Sequence, residues 1–414
     1  MKRDPQLANI YECTGCLACI DGCPTDALSL TENNEGHFFY QINTEKCIKC
    51  YKCEQICPTV SHMNYGNNNF KSSDLYASWS INNSLRKKSA SGGVFASIAS
   101  YILDNNGIVI GATMDGIQCK HIEIINKVEL EKIQGSKYVQ SNTLGVYNLV
   151  KKRLQEGKTV LFSGVGCQVA GLLSFIKNSK LKENLITVDM VCGGVPSNFL
   201  IKQYSQFHNI KTIISFRNKN NGWKSFGYKY QLTYINKNGN IIIDNNKKNL
   251  IIDGFSSGLT NRYSCNNCKF AYAHRISDFT IADLWGDKKY PQEHFNGISS
   301  IAVHTHKGKD LITQLNKYLI TYPLKWEDIL PYNPRYIYGR TQYSYRPERF
   351  FLAWIFKHMS YNTICKIYAS ENINYYNFFW MTYKAIKKLL ACYETLNKRR
   401  HIKQLLKNNL LKKK

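Results

Sequence analysis

Eight of the chain's 15 cysteines lie within its first 57 residues, in two copies of one pattern. Cys13, Cys16, Cys19 and Cys23 run up to Pro24, and Cys47, Cys50, Cys53 and Cys57 run up to Pro58. Three thiolates at this short spacing can wrap one face of a 4Fe-4S cube, while a fourth, held at a proline corner, reaches the other cube. That is the ligand spacing of a two-cluster bacterial ferredoxin. It pairs Cys13, Cys16, Cys19 and Cys57 on one cluster, and Cys47, Cys50, Cys53 and Cys23 on the other. The chemistry implied is one-electron carriage. Disulfides fit small secreted domains, whereas this chain opens Met1-Lys2-Arg3-Asp4-Pro5 with no apolar signal segment behind it. Zinc prefers two separated pairs, and the third closely spaced cysteine of each run is surplus to tetrahedral need.

Three further features lie where open α/β sheets place ligands, at predicted strand ends. Ser89-Ala90-Ser91-Gly92-Gly93-Val94 is a Ser/Gly turn opening a helix, which suits a phosphate or pyrophosphate and equally a plain N-cap. Gly164-Val165-Gly166-Cys167-Gln168 follows the strand Val160 to Ser163. With Asp189 at the end of the next strand it resembles a degraded dinucleotide fingerprint of irregular spacing. It also sets a cysteine at a helix N-terminus, where a thiolate is favoured. Cys265-Asn266-Asn267-Cys268 is a CxxC turn, suited to a redox dithiol or to half a metal site. Cys192 follows the strand Ile186 to Val191, so it and Cys167 end consecutive strands. With Cys265 and Cys268 they supply four thiolates for a third cluster, although buried free cysteines are also common.

The elements that must position these residues read as follows. The two cysteine runs lie 34 residues apart, an internal duplication. Between them the Asn33-Asn34-Glu35-Gly36 turn and the strand His37 to Ile42 suggest a hairpin. Residues 1–62 are thus expected to form an α+β ferredoxin-like module, followed by a polar linker over 63–75. Beyond it come a strand (Leu75 to Ile81), a helix (Gly92 to Leu103), a strand (Gly107 to Ala112) and a helix (Leu144 to Glu156). A strand (Thr159 to Ser163), a helix (Cys167 to Ile176) and a strand (Leu185 to Val191) follow. This alternation predicts an α/β flavin and iron-sulfur domain over 76–330 with a largely parallel sheet. Tyr228 to Tyr234 and Ile241 to Ile243, around Asn238-Gly239, read as a hairpin. Residues 331–414 read as a helical basic C-terminal extension.

Taken in order, Ser91-Gly92-Gly93, the stretch Gly135 to Ser141, Cys167 to Gly171, Val191 to Ser197, Cys265 to Phe270, Ser277-Asp278 and Asp283 to Gly286 resemble the coenzyme F-420 hydrogenase/dehydrogenase beta-subunit family. The resemblance runs from about residue 75 to residue 330. Members hold FAD beside a 4Fe-4S cluster, and several carry an N-terminal ferredoxin module. The resemblance implies that Cys167, Cys192, Cys265 and Cys268 ligate a third cluster. It also implies FAD near Ser91, Gly92, Gly93 and Val94 and near Gly135, Ser136, Lys137, Tyr138, Gln140 and Ser141, with Lys137 available to the diphosphate or the flavin. Arg275, Asp278 and Asp283 are expected near the same pocket. This chain has Val165-Gly166 where the family often has Thr-Pro, and Gly193 where it often has histidine, which leaves the deazaflavin coenzyme open as acceptor.

The chain has 414 residues, 43% of them hydrophobic, room enough for two or three globular domains. Its formal charge of +26, from 55 basic and 29 acidic residues, suggests acidic partners: nucleic acid, an acidic redox protein or an anionic membrane surface. No nucleic-acid recognition motif accompanies the charge, so nucleic acid is not expected as a partner. From Lys398 to Lys414 there are eight Lys or Arg and no Asp or Glu. With Ile402, Leu405, Leu406 and Leu410 on one face, that tail suits anionic lipid, or a solvated or partner-docked helix. A cytoplasmic protein, with a peripheral contact at the inner membrane face through the tail, is the expected setting. Cys119, Cys365 and Cys392 have no ligand-spaced partner and read as ordinary thiols. His304 and His306 alternate along a probable strand as edge or surface histidines. Two functions are in contention. The first is an iron-sulfur flavoprotein oxidoreductase taking single electrons from a ferredoxin or partner protein and reducing a small-molecule acceptor. The second is a non-catalytic electron-transfer subunit of a larger redox complex.

Overall fold

The computed structural model describes residues 3–61, 72–177, 179–223, 231–244, 250–258, 260–272, 275–286 and 288–339. Most of the expected linker, Tyr228 and Tyr230 of the expected hairpin, Cys365 and Cys392, and the basic tail from Lys398 lie outside them. In the first sixty residues, β1 (Leu28–Glu32) pairs antiparallel with β2 (Phe38–Ile42), Leu28 opposite Ile42. Gly36 takes φ 75° in the turn between them. Alternate residues Leu28, Leu30, Phe38, Tyr40 and Ile42 pack with Leu17, Ile20 and Cys53. Each cysteine run closes with a short helix, Ala18–Asp21 and Lys52–Ile56.

The remaining strands are β3 (Asp74–Ser80), β4 (Ile108–Asp115), β5 (Gln118–Ile124), β6 (Ser141–Asn142), β7 (Val160–Ser163), β8 (Leu185–Met190), β9 (Ile210–Ser215), β10 (Leu232–Asn236), β11 (Ile241–Asp244), β12 (Phe279–Asp283), β13 (Ser299–Val303) and β14 (Leu319–Pro323). Nine of them form one sheet in the order β14-β3-β13-β12-β8-β7-β4-β5-β6, and β11-β10-β9 form a small antiparallel sheet beside it. The largely parallel sheet expected from the sequence is corrected here to a mixed one. The pairings β12/β8, β8/β7, β7/β4 and β5/β6 are parallel. Those of β14/β3, β3/β13, β13/β12 and β4/β5 are antiparallel. Parallel neighbours need a crossover, which the helix Gly166–Phe175 provides between β7 and β8, whereas β4 and β5 are joined only by a tight turn at Gly116.

Alternation along the central strands gives the sheet two apolar faces. Val109, Leu161, Val188, Phe279 and Ile301 pack against the helix Val94–Asp104. Ile108, Ile110, Val160, Phe162 and Leu185 pack against the helices Val146–Gln155 and Gly166–Phe175. Cys16, Ala18 and Ile56 belong to that second cluster, so the cysteine-rich module shares its core with the large sheet. Polar contacts reinforce the joint. The Asp21 carboxylate accepts from the Gly145 and Tyr147 N–H groups at 2.7 and 3.1 Å. It thereby caps the helix Val146–Gln155, whose own N-cap, Gly145, has no side chain to do so. At the hairpin tip, the Asn198 N–H donates to the Gly36 carbonyl at 3.1 Å and the Ser197 hydroxyl to that of Glu35.

The packing around Trp79 includes Leu330, Tyr336 and Ile337, so it runs past the boundary expected at residue 330. The two histidines expected on one strand are separated by its end. His304 sits just past β13, and Thr305 caps the helix His306–Gln314 through its hydroxyl. Thr280 Oγ1 donates to Asp189, so it accepts from His304 Nε2, and His304 Nδ1 accepts from Ser73 Oγ, both at 2.8 Å. Burial lowers His304 to about 3 from 6.5, and lowers the fully enclosed His121 to about 4. Both fold as neutral rings, so the unfolded chain takes up their protons first. Stability then falls as pH drops from about 6.5 toward those folded values. Chemical denaturation of the anaerobically purified protein should show its highest midpoint above pH 7 and a decline toward pH 5. The His304→Gln variant should show a shallower decline.

Candidate iron-sulfur and redox site

The two cysteine runs fold into matching loops. Gly15 and Leu17 of the first have φ 66° and 64°, and Lys49 and Tyr51, at the same places in the second, have φ 51° and 58°. Left-handed backbone costs a non-glycine residue roughly 1–2 kcal/mol. Alternating it with right-handed residues turns successive N–H groups into one concavity, a cradle for an anion such as an iron-sulfur centre. The Gly15 N–H accordingly donates to Cys13 Sγ at 3.4 Å. One small cavity is lined by Cys13, Cys16, Cys19 and Cys57, with Leu7, Phe39 and Tyr40. A second is lined by Cys23, Cys47, Cys50 and Cys53, with Pro5, Ile48 and Tyr51. Each thus takes three thiols from one run and the fourth from the other.

Among the described residues no three Cys, His, Asp or Glu side chains close on a single ion. The thiols instead surround spaces of the kind a 4Fe-4S cube would fill. Burial raises Cys16 to about 12 and Cys53 to about 11, helped by neighbouring thiols. At Cys23 burial also raises the thiol, but hydrogen bonds from the Thr25, Ala27 and Leu28 backbone and the Thr25 side chain outweigh it and lower the value. Thiols gathered against their own repulsion are what a bound cation reverses, since coordination deprotonates them outright.

Cys167, Cys192, Cys265 and Cys268 also come together. Cys167 lies in the first turn of the helix after β7, Cys192 follows the adjacent β8, and Cys265 and Cys268 lie on the turn Tyr263–Asn267 and at its end. Burial drives Cys167 well above its ordinary value, and Cys268, Cys192, Cys16 and Cys265 add to the rise in that order. The Gly194 N–H donates to Cys192 Sγ at 3.3 Å, as Gly15 does to Cys13. Gly164 and Gly166 serve this turn. A Cβ at Gly166 would lie 2.6 Å from the Phe270 carbonyl oxygen. Asp189 is held inside the sheet by Arg275 at 3.3 Å and Thr280 at 2.5 Å, so it does not face the crevice as a dinucleotide fingerprint requires. Cys16 links this set to the first cavity: a Cβ at Gly171 would lie 3.1 Å from Cys16 Sγ.

The family described as the C terminus of the coenzyme F420 hydrogenase/dehydrogenase beta subunit matches residues 157–325, and the 4Fe-4S dicluster domain matches residues 12–60. Residues 157–325 belong to the coenzyme F420 hydrogenase/dehydrogenase beta-subunit family. The chain's N-terminal segment is a 4Fe-4S dicluster domain, which makes the chain an iron-sulfur electron-transfer protein. That segment is 30% identical over 63 residues to the ketoisovalerate oxidoreductase subunit VorC of Methanothermobacter marburgensis, covering 15% of this chain and 80% of that protein. It is 35% identical over 60 residues to an uncharacterized polyferredoxin-like protein of Methanocaldococcus jannaschii, covering 13% of this chain and 36% of that protein. The chain therefore spans only about a third of the length of the latter. A chain of the F420-reducing [NiFe] hydrogenase complex from Methanosarcina barkeri aligns with a TM-score of 0.44 at 15% identity, over 70% of this chain and 90% of that one.

The residues implied for FAD in this chain divide by environment. The Gly92 N–H is taken by Ser299 Oγ at 3.0 Å, Ser91 Oγ donates to the Ile298 carbonyl at 2.8 Å, and Gly93, at φ 84°, opens the helix of Val94. Gln134 Nε2 reaches Ser89 Oγ at 3.0 Å, which brings the stretch Gly135 to Ser141 beside the Ser89–Val94 turn. Gly135, at φ 78°, has open space where a Cβ would be; Ser136 follows it. Lys137 is lowered to about 8 by burial, and its Nζ donates to the Gln134 carbonyl at 2.6 Å. Tyr138 stacks on Phe255 with ring centroids 4.3 Å apart. Ser141 Oγ meets His121 Nδ1 at 2.8 Å. Gln140 faces the dicluster module: its Oε1 accepts from the Phe38 N–H at 3.1 Å and its Nε2 donates to the Gly15 carbonyl at 3.4 Å. Asp278 is occupied with Thr187 and Thr305, and Asp283 with Arg217 and Trp223.

Sequence reasoning missed Thr143, Tyr147, Arg262 and Ser264. Thr143 Oγ1 and Tyr147 OH both donate to the Cys16 carbonyl at 2.8 Å. Arg262 Nε and Ser264 Oγ donate to that of Cys13 at 2.6 and 2.9 Å. Only the adjacency of Arg262 and Ser264 to Cys265 could have drawn attention to two of them. Sequence reasoning also missed Lys219, whose Nζ donates to the Arg86, Ser91 and Asn296 carbonyls and which burial lowers to about 7. Because Gly171 abuts Cys16 and not the second cavity, the Gly171→Leu variant should perturb the electron paramagnetic resonance of one N-terminal centre. The signal of the centre near Cys23, Cys47, Cys50 and Cys53 should stay unchanged.

Proposed function

We propose that this protein is an iron-sulfur flavoprotein oxidoreductase that exchanges single electrons with a ferredoxin or partner protein and reduces a small organic acceptor. The deazaflavin coenzyme is one acceptor that fits this role. The observation that carries the reading is the adjoining of two four-cysteine cavities and a third four-cysteine set, with Cys16 between the first and the third. Cys13, Cys16, Cys19 and Cys57 would hold one 4Fe-4S cluster, Cys23, Cys47, Cys50 and Cys53 the next, and Cys167, Cys192, Cys265 and Cys268 the third. Cubane clusters supply one-electron exchange, and a flavin supplies exchange of one or two electrons, so the pair can match a one-electron donor to a two-electron acceptor. The chain's own part is to hold and shield. Thr143, Tyr147, Arg262 and Ser264 fix the Cys13–Cys16 loop, and Tyr40 and Phe39 wall the first cavity from water.

The turn Ser91–Val94 and the stretch Gly135 to Ser141 would bind FAD. A lysine at Lys137 with its charge weakened by burial suits contact with a diphosphate, whose negative charge would restore it. A second reading, an electron-transfer subunit of a larger complex, is favoured by the dicluster relative, which is itself named as a subunit of an oxidoreductase. Among the described residues no helix is long and apolar enough to cross a membrane. A peripheral contact through the basic tail belongs to the proposal.

Anaerobic iron, sulfide and flavin analysis tests the framework. About twelve irons and one FAD per chain are expected if three 4Fe-4S clusters form. Paired Cys265→Ser and Cys268→Ser substitutions should lower iron to about eight, and Lys137→Met should lower flavin retention with iron unchanged. Wild-type protein with about eight irons would remove the third set from the reading. Absence of flavin after reconstitution with FAD would reduce the protein to a carrier. Reduction of no acceptor by the loaded protein, alongside electron exchange with a partner subunit, would favour the second reading.

A further inference from the structure

The duplication makes two clusters from nearly equivalent loops, yet their surroundings differ in one charged group. Arg262, from the turn that carries Cys265 and Cys268, reaches into the first loop and is 1% exposed. Its Nε donates to the Cys13 carbonyl at 2.6 Å and its Nη1 to Gln140 Oε1 at 3.4 Å. Its Nη2 is buried with no hydrogen-bond partner among the described residues. The loop closes tightly on the guanidinium: a Cβ at Gly15 would lie 2.5 Å from Nη1.

No carboxylate stands against this cation in the contacts above. Near the second cavity the ion pairs seen among the described residues lie at the surface, and no arginine there is as enclosed as Arg262. Lys49 meets Asp4 at 3.0 Å with both side chains more than a third exposed, and Arg3 meets Glu54 at 2.6 Å with Arg3 more than half exposed. A buried, uncompensated positive charge stabilises the more negative redox state of a neighbouring centre, and such a charge is screened little by water or salt.

We propose that Arg262 tunes the dicluster pair, making the cluster held by Cys13, Cys16, Cys19 and Cys57 the more easily reduced of the two. This rests on the cluster assignment above. Its consequence is direction: the more easily reduced member is the one whose Cys16 abuts Gly171 and Cys167, so the outer member faces the donor and the inner one faces the rest of the protein.

Potentiometric titration of the full-length, cluster-loaded protein, followed by electron paramagnetic resonance, tests it. Arg262→Gln should shift the reduced-to-oxidised ratio of one N-terminal cluster about tenfold toward oxidised at fixed potential, ~59 mV for a one-electron couple, with the other unmoved. Gln140→Glu keeps the guanidinium and the acceptor at Oε1 but sets a carboxylate against Nη1, and should shift the same cluster the same way. It decides the matter if Arg262→Gln loses iron. Ser264→Ala removes a bond to the same carbonyl while keeping the charge, and should shift the ratio less than threefold. Full iron content with both N-terminal potentials at wild-type values in Arg262→Gln, or in Gln140→Glu, would overturn the role of Arg262 and leave the cluster assignment standing. Equal movement of both clusters would do the same. Wild-type protein without iron would overturn the cluster assignment and this proposal together.

Discussion

The grip of the large domain on the backbone of Cys13 and Cys16 is the constraint from which the rest of the arrangement follows. Four donors, Arg262, Ser264, Thr143 and Tyr147, end on two carbonyl oxygens of one cysteine loop. A buried hydrogen bond contributes about 1 kcal/mol net, but leaving its partners unpaired costs more, so the four act together to fix the joint. Cys16, Ala18 and Ile56 meanwhile share an apolar cluster with Tyr147, Val169 and Leu172. The dicluster module is therefore built into the fold of the large domain and not tethered to it. The Asp21 cap shows the same dependence from the other side, since the helix Val146–Gln155 takes its N-terminal carboxylate from the module.

This grip explains how strained backbone persists. Leu17 and Tyr51 are bulky residues with positive φ, a conformation normally left to glycine. The two loops repeat it at matching places although their sequences differ there, Gly15-Cys16-Leu17 against Lys49-Cys50-Tyr51. What they share is the need to turn N–H groups inward around a cavity, and strain of this kind survives only where surrounding structure over-determines it. At the first loop that structure is the large domain. At the second it is the module itself, through Cys53, Ile42 and Leu28.

Much of this was legible in the sequence, and for a physical reason. Ligand spacing is a local property, so the crossed pairing of cysteines could be read from two short runs, and the cavities gather the same fours. Between β4 and β8 the strands and helices that the pattern puts there lie within three residues of their observed bounds, whereas β5, β6 and the helix Ser179–Glu183 carry no period that marked them. Sheet polarity was not legible, because β3, β13 and β14 find antiparallel partners far away in the chain, and no local period encodes that. Nor was the partner of Gln140. It sits in a stretch whose family resemblance points to FAD, while its side chain answers to Phe38 and Gly15, about a hundred residues earlier. His304 shows the same limit: its position on an alternating pattern implied an edge, and its two hydroxyl partners, Ser73 and Thr280, hold it half-buried.

The placement of small residues carries the argument one step further. Gly171 is one turn on from Cys167 in the helix Gly166–Phe175, and its lack of a side chain lets Cys16 Sγ and Tyr147 OH approach the helix backbone. An alanine would already be crowded there, at 3.1 Å from both atoms. The same helix face thus presents Cys167 to the third cysteine set and, four residues on, a gap that admits a cysteine of the first. Spacing of four residues places both on one side of a helix. A single helix, followed over one turn, connects the dicluster module to the centre of the large domain. Arg262 does the same from the opposite wall, rising from the segment of Cys265 and Cys268 to the carbonyl of Cys13. Two elements that each bear cysteines of the third set also contact the first loop, so neither set can move without shifting the other.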